Sequence, residues 1–266
     1  MINTHFCKKI IEHYKSATRI DVLHSPFVFD LFNACIKRTN SNTDFTLIES
    51  LRKKLKNDNR IITQNDFGAN QSVRKKSVKY FAKQHAKPAR IAQIIYQIIK
   101  HYQYKNIIEL GTSLGLSGSY QAAALRKNFK ADEVHFSTIE GADEIAKVAS
   151  ENFSSLELEK YIHQYTGKFD DVLPGVLKKY DTIDMAFIDG NHRYEPTINY
   201  FKQFLPLVKN DSILIFDDIY WSQEMTNAWE EIKQNDKVTV TVDLFFLGLV
   251  FFRKEQTKEH FKLRIF

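Results

Sequence analysis

The pattern that most restricts the fold of this chain is the alternation of short apolar runs with helical periodicity after Tyr104. The apolar runs predict strands at 106–110, 134–139, 161–165, 183–188 and 212–216. Helices are predicted at 117–129, 143–153, 171–179, 195–204 and 222–234. This alternation is typical of right-handed crossovers in a parallel sheet.

Two further apolar runs, 238–242 and 245–252, follow each other without a helix between them. A short link between neighbouring strands predicts that the last strand runs antiparallel. We therefore predict an α/β fold with a doubly wound, mostly parallel seven-stranded sheet whose last strand is antiparallel.

The first 87 residues lack this alternation and predict an N-terminal helical extension, so that the α/β domain covers residues 88–266. Ser25 before Pro26 is typical of a helix start, and a helix is predicted at 27–36. A second helix is predicted at Thr43–Leu55, a loop at Ile61–Ser72, and a third helix after Pro88.

Composition restricts the class of protein. The chain has 266 residues, 43% of them hydrophobic, which indicates a globular fold. Its net charge of +6 fits either an anionic partner such as nucleic acid or a lysine-rich solvated surface. Cys7 and Cys35 lack metal-site or disulfide spacing, and neither a signal peptide nor a membrane-length apolar run is found. We expect a cytoplasmic protein without a membrane span.

Glycines and carboxylates follow the first two predicted strands. Ligands bind at the carboxyl ends of strands in such sheets. The first strand leads into a turn in which Gly111, Gly115 and Gly118 follow a G-x-x-x-G-x-x-G spacing, unlike the dinucleotide fingerprint G-x-G-x-x-G. Glu140 ends the second strand, where a carboxylate can accept hydrogen bonds from ribose hydroxyls, although it could also be a solvated turn residue.

Three acidic residues follow the fourth and fifth predicted strands, namely Asp189, Asp217 and Asp218. Like charges in close proximity repel unless a cation lies between them, and three oxygen donors suit Mg²⁺. Alternatively, Asp217 or Asp218 caps the next helix. His192 lies at the same edge and is either a general base or a structural histidine bonded to a loop carbonyl.

These motifs resemble the class I S-adenosylmethionine (SAM)-dependent methyltransferases, in particular the small O-methyltransferases, over about Lys87–Arg253. The resemblance of "IELGTSLGLSG", "STIEG" and "YTGKFDDVLP" implies a Rossmann-like domain and a cofactor site. The first segment would line the methionine part of SAM, the second would bind the ribose, and the third would border the adenine. The implied cofactor residues are Glu109, Gly111, Ser113, Gly115, Ser117, Glu140, Gly167, Lys168, Phe169 and Asp189.

The segments "MAFIDGNHRYE" and "LIFDDIYW" resemble the metal-bearing strand ends of the divalent-cation-dependent members. By this resemblance Asp189, Asp217 and Asp218 would bind Mg²⁺ and His192 would be the base. His192 and Asp189 are the predicted catalytic residues. Two positions depart from the usual pattern, which has Asp-Asn where this chain has Asp217-Asp218 and a lysine where it has His192.

The resemblance implies O-methylation of a small-molecule hydroxyl by a protein that could form a homodimer. Three other functions remain open. A nucleic-acid (RNA) methyltransferase would fit the basic charge, including the runs at 52–54 and 74–76. A nicotinamide-dependent oxidoreductase would share the first strand, turn and helix, but not the glycine spacing. A non-enzymatic interaction protein could retain the same scaffold.

Overall fold

The computed structural model describes residues 4–20, 24–37, 43–65 and 73–264. The chain divides into two compact units, one formed by residues 1–33 and 180–266 and the other by residues 34–179. The predicted division after residue 87 stays a prediction. In the described residues, no helix has the length and apolarity that crossing a membrane requires.

The unit formed by residues 34–179 begins with helices and a hairpin. Its helices are α3 (Thr43–Leu55), α4 (Val78–Gln84), α5 (Ala89–Tyr102), α6 (Leu116–Asn128), α7 (Asp143–Ser155) and α8 (Phe169–Leu177). Its strands are β1 (Ile61–Asn65), β2 (Val73–Ser77), β3 (Asn106–Leu110), β4 (His135–Glu140) and β5 (His163–Thr166). Strands β3, β4 and β5 pair in parallel, which confirms the alternation of strand and helix in this unit.

The other unit combines N-terminal helices with the rest of the α/β sequence. Its helices are α1 (Thr4–Ser16), α2 (Pro26–Leu31), α9 (Tyr194–Phe204) and α10 (Gln223–Gln234). Its strands are β6 (Ile183–Ile188), β7 (Val208–Asp217), β8 (Val240–Asp243), β9 (Leu247–Phe251) and β10 (Glu259–Lys262). Strand β9 runs antiparallel to both β7 and β8, as predicted for the last apolar run.

The described strands include a mostly parallel sheet of eight strands, one more than predicted. The additional strand is β10, which pairs in parallel with β8. In this strand only Phe261 is buried, so its sequence shows no apolar run. By contrast, all six residues of β6 are buried, as expected for a parallel strand covered on both faces.

The prediction of a loop at Ile61–Ser72 was wrong for the first part of that range. Residues 61–65 form β1, which pairs antiparallel with β2, and residues 66–72 lie outside the described part of the chain. The backbone amide of Thr63 donates to Oε2 of Glu144 in α7 at 2.5 Å. The hairpin is thus stabilised by a tertiary contact that the local sequence does not encode.

Helix starts follow the predicted capping chemistry. The Ser25 hydroxyl accepts a hydrogen bond from the amide of Val28, and Pro26 occupies the first helical turn of α2. A π-helical segment, Phe32–Ile36, continues the predicted helix. Helix α5 buries its predicted isoleucine stripe against α6.

Candidate active site

A tight turn connects β3 to α6 in the unit formed by residues 34–179. Gly111, Ser113 and Gly115 all have positive φ, at 104°, 49° and 78°. The amides of Gly111 and Thr112 both donate to the carbonyl of Ile139, at 3.0 and 3.2 Å. These bonds hold the turn against the carboxyl end of β4. Helix α6 begins directly after the turn.

The Glu109 carboxylate organises this turn from inside the unit. It is fully buried and accepts hydrogen bonds from the Ser117 hydroxyl at 2.7 Å and the Gln121 amide at 2.6 Å. The Thr138 hydroxyl donates to its other oxygen at 2.7 Å. Because Ser117 and Gln121 lie one turn apart on α6, one carboxylate fixes that helix to β3 and β4. Glu109 and Ser117, both predicted to line the cofactor, thus bind each other.

Glu140 ends β4 beside the glycine turn. Its Oε2 accepts a hydrogen bond from the amide of Ser113 at 2.8 Å, and its Oε1 accepts one from the amide of Ala142 at 3.0 Å. The structure therefore brings the carboxylate and the turn together in one place.

The predicted adenine-side segment also meets Glu140. The amide of Gly167 donates to the backbone carbonyl of Glu140 at 2.9 Å. Lys168 and Phe169 follow directly, as the N-cap and first residue of α8. The three segments predicted to bind the cofactor therefore lie at neighbouring strand ends of one unit.

Sequence analysis missed several residues that shape this turn. A Cβ atom on Gly115 would lie 2.8 Å from Cε1 of Phe153, so the aromatic ring occupies the space beside the turn. The Thr112 and Thr138 hydroxyls lie 2.6 Å apart. Thr138 stands directly before Ile139-Glu140 on β4, and Gln121 lies three residues beyond Gly118. Thr138 and Gln121 could have been found from the sequence, because they are polar residues at strand and helix positions that are otherwise expected to be apolar and buried.

A second cluster of donor atoms lies in the unit formed by residues 1–33 and 180–266. Asp189, His192 and Asp217 each place one potential ligand atom within 4.8 Å of the others. Asp217 is 2% exposed at the end of β7, and His192 Nε2 lies 3.5 Å from Asp189 Oδ1. The predicted proximity of Asp189 and Asp217 is therefore observed, with His192 as the third member.

The turn carrying His192 is held by its neighbours. The Asn191 side chain donates to the Tyr200 hydroxyl at 3.1 Å, and its oxygen accepts from Nη2 of Arg193 at 3.0 Å. Asn191 itself has φ of 59°. Because the residues on both sides of His192 are hydrogen-bonded, the backbone that presents the imidazole is fixed.

Asp218 does not share the cluster, although it follows Asp217 directly. Its φ is 53°, its amide donates to the carbonyl of Phe246 at 2.8 Å, and its carbonyl accepts from the amide of Trp221. The hydroxyl of Ser222 caps α10 by accepting from Met225. The alternative in which Asp217 or Asp218 caps this helix is therefore wrong.

A buried polar group adjoins this turn in the same unit. The hydroxyl of Tyr220 donates to Asp243 Oδ2 at 2.5 Å. Burial, followed by the charge of Asp243 and this hydrogen bond, raises the pKa of Tyr220 well above its usual value. Nδ1 of His13 in α1 lies 3.3 Å from the other oxygen of Asp243. The loop after β7 is thereby linked to the N-terminal helix.

The chain is similar in sequence to known methyltransferases. Residues 108–219 match the family described as "Methyltransferase domain" (Methyltransf_24). This part of the chain is therefore similar to a methyltransferase domain. A catechol O-methyltransferase from Niastella koreensis is 33% identical over 118 residues, which are 44% of this chain and 50% of that protein. The chain thus spans half the length of this curated relative.

Solved structures share the fold. The O-methyltransferase TomG from Streptomyces achromogenes, in complex with SAM, has a TM-score of 0.59 at 15% identity, covering 85% of this chain and 96% of its own. An O-methyltransferase from Bacillus cereus, in complex with SAH, has a TM-score of 0.57 at 17% identity, covering 80% and 92%. The α/β fold predicted from the sequence is therefore confirmed, and both of these structures share it.

Proposed function

We propose that this chain is a SAM-dependent methyltransferase that transfers a methyl group to the hydroxyl of a small molecule. The observation that carries the proposal is the hydrogen bond between the Glu140 carboxylate and the Ser113 amide. This bond places a carboxylate that can accept hydrogen bonds from ribose hydroxyls beside a turn whose backbone can approach a ligand closely. The methyltransferase domain match and the catechol O-methyltransferase relative support the same activity.

The residues present fit SAM. Glu140 supplies a carboxylate at the end of β4, the kind of group that accepts hydrogen bonds from ribose hydroxyls. Gly111 and Ser113 form a tight turn with positive φ just before α6, where the backbone can approach a ligand closely. Gly167, Lys168 and Phe169 extend the site from the Glu140 carbonyl, on the side proposed for adenine. SAM supplies an electrophilic methyl group on a sulfonium, so the chain need not generate one.

The Asp189–His192–Asp217 cluster fits a divalent cation, because oxygen and imidazole donors are common metal ligands. Mg²⁺ is the cation proposed from the sequence. The cluster's part in the reaction is to orient the acceptor hydroxyl and to favour its ionised form. Correct alignment of the acceptor with the methyl group alone can contribute several kcal/mol.

The acceptor class is proposed as a small molecule with a free hydroxyl, and catechols deserve the first assay because of the named relative. Nucleic acid is not favoured, since the relatives reported above are O-methyltransferases. A nicotinamide cofactor is not favoured by the same comparisons. A cytoplasmic location and a homodimer remain proposals drawn from the sequence.

The test is a calorimetric titration of the protein with SAM, in wild type and in two variants. Glu140→Gln places an amide NH₂ against a backbone N–H donor, and we expect SAM affinity to fall at least about tenfold, the cost of one good hydrogen bond. Glu159→Gln removes an exposed carboxylate elsewhere in the same unit and should bind like wild type. Absence of SAM binding to wild type at millimolar cofactor, or full affinity in Glu140→Gln, would contradict the proposal.

A further inference from the structure

We infer that His192 is a ligand of the cation rather than the base, and that the Asp189–His192–Asp217 site selects a first-row transition-metal dication over Mg²⁺. This inference rests on the proposed function, because it names the metal chemistry of the acceptor site. It replaces the Mg²⁺ site of Asp189, Asp217 and Asp218 that the sequence predicted.

The distance between His192 and Asp189 favours shared ligation. Nε2 and Oδ1 are 3.5 Å apart, beyond the usual range for an N–H···O hydrogen bond. Two adjacent ligands that each lie about 2.1 Å from one cation are about 3.0–3.4 Å apart. The imidazole and the carboxylate therefore face each other at nearly the separation that a common cation imposes.

The spread of the whole cluster agrees with one cation. The three donor atoms lie within 4.8 Å of one another. Ligands on opposite sides of a cation at about 2.1 Å are about 4.2 Å apart, so small side-chain adjustments suffice. Asp217 is buried and the Asp189 side chain is 13% exposed, so a shared dication would stabilise two carboxylates with limited access to water.

The donor set decides the metal. Imidazole nitrogen suits Zn²⁺, Co²⁺ and related dications, whereas Mg²⁺ is bound by oxygen ligands and water. Three protein ligands also leave coordination positions open, as catalytic metal sites do. An acceptor hydroxyl could occupy one of them. Asp218, whose oxygen would have completed a Mg²⁺ set, lies outside the cluster.

The experiment measures Co²⁺ binding to the full chain by equilibrium dialysis and visible absorption, with SAM affinity measured on the same samples. Wild type should bind one Co²⁺, which Zn²⁺ displaces and millimolar Mg²⁺ does not. His192→Ala and Asp217→Ala should weaken Co²⁺ binding about 100-fold or more, beyond the usual cost of losing an outer-shell partner. His101→Ala, which removes an exposed imidazole from α5, and Asp218→Asn should retain Co²⁺.

A second measurement needs no variant. In wild type, bound Co²⁺ should protect His192 from modification by diethyl pyrocarbonate, read by mass spectrometry, while His101 stays reactive. Full Co²⁺ affinity in His192→Ala, or equal modification of His192 with and without Co²⁺, would overturn the ligand assignment and return His192 to the role of base. Displacement of Co²⁺ by equimolar Mg²⁺ would overturn the metal preference. Wild type that binds SAM but no Co²⁺ would refute this inference alone and leave the proposed function intact.

Discussion

Replacing Gly115 with alanine tests whether the turn after β3 has the shape on which the cofactor site depends. Gly115 has φ of 78°, where an L side chain costs about 1–2 kcal/mol. The new Cβ would lie 2.8 Å from Cε1 of Phe153 and 3.2 Å from Cβ of Ala149. Forcing a methyl group into such a packed position costs about 1–3 kcal/mol.

Together these effects predict a loss of about 2–5 kcal/mol in the free energy of unfolding of Gly115→Ala. For a chain of this size, that corresponds to a fall of about 4–20 °C in melting temperature. We also expect weaker SAM binding, because Gly115 is the N-cap of α6 and the turn must shift to admit the methyl group.

The matched control is Gly175→Ala in α8. A Cβ at Gly175 meets nothing within 4 Å, so alanine should leave stability unchanged or raise it by about 0.5–1 kcal/mol. Both variants are compared with wild type by thermal unfolding followed by circular dichroism. If Gly115→Ala melts with wild type and binds SAM equally well, the steric reasoning about this turn is wrong.

Two other substitutions probe buried polar groups. Glu109→Leu leaves the Ser117, Gln121 and Thr138 donors without their acceptor and should cost about 3 kcal/mol or more in urea unfolding; a cost under about 1 kcal/mol would mean that these donors find other partners. Tyr220→Phe removes the hydrogen bond to Asp243 and should cost about 1–3 kcal/mol at pH 7. Because the pKa of Tyr220 is raised in the folded state, wild type should lose stability as pH rises above about 10, where the unfolded tyrosine ionises. Tyr220→Phe should lose less over that range, and parallel stability curves would contradict this assignment.

Hydrophobic periodicity predicted the elements whose burial it controls directly. Strand β6 is buried along its whole length and has a continuous apolar sequence. Helix α5 buries five isoleucines spaced along one face. In both elements burial determines which positions are apolar, so the local sequence was sufficient to predict the element.

The elements that were missed depend on contacts between distant segments. The hairpin joins β1, with the short sequence IITQN, to the basic strand β2 and is bonded to Glu144 in α7. Strand β10 buries only Phe261 and gains its hydrogen bonds from β8. Backbone hydrogen bonds to a partner strand leave little trace in the side-chain pattern, because every residue except proline can make them.

Topology explains why the candidate cofactor site was predictable while the candidate metal site was only partly so. Parallel strands bring their carboxyl ends to one edge, which is enough to predict that Glu140 meets the turn after β3. The same rule places Asp189 near Asp217 but does not reveal which of the following side chains turns toward them. That choice depends on single backbone angles. Asp218 sits at φ of 53°, in a turn bonded to Phe246, while Asn191 at 59° precedes the histidine that joins the cluster. Asp217 therefore joins the donor set whereas the adjacent Asp218 does not, and this difference changes the expected metal.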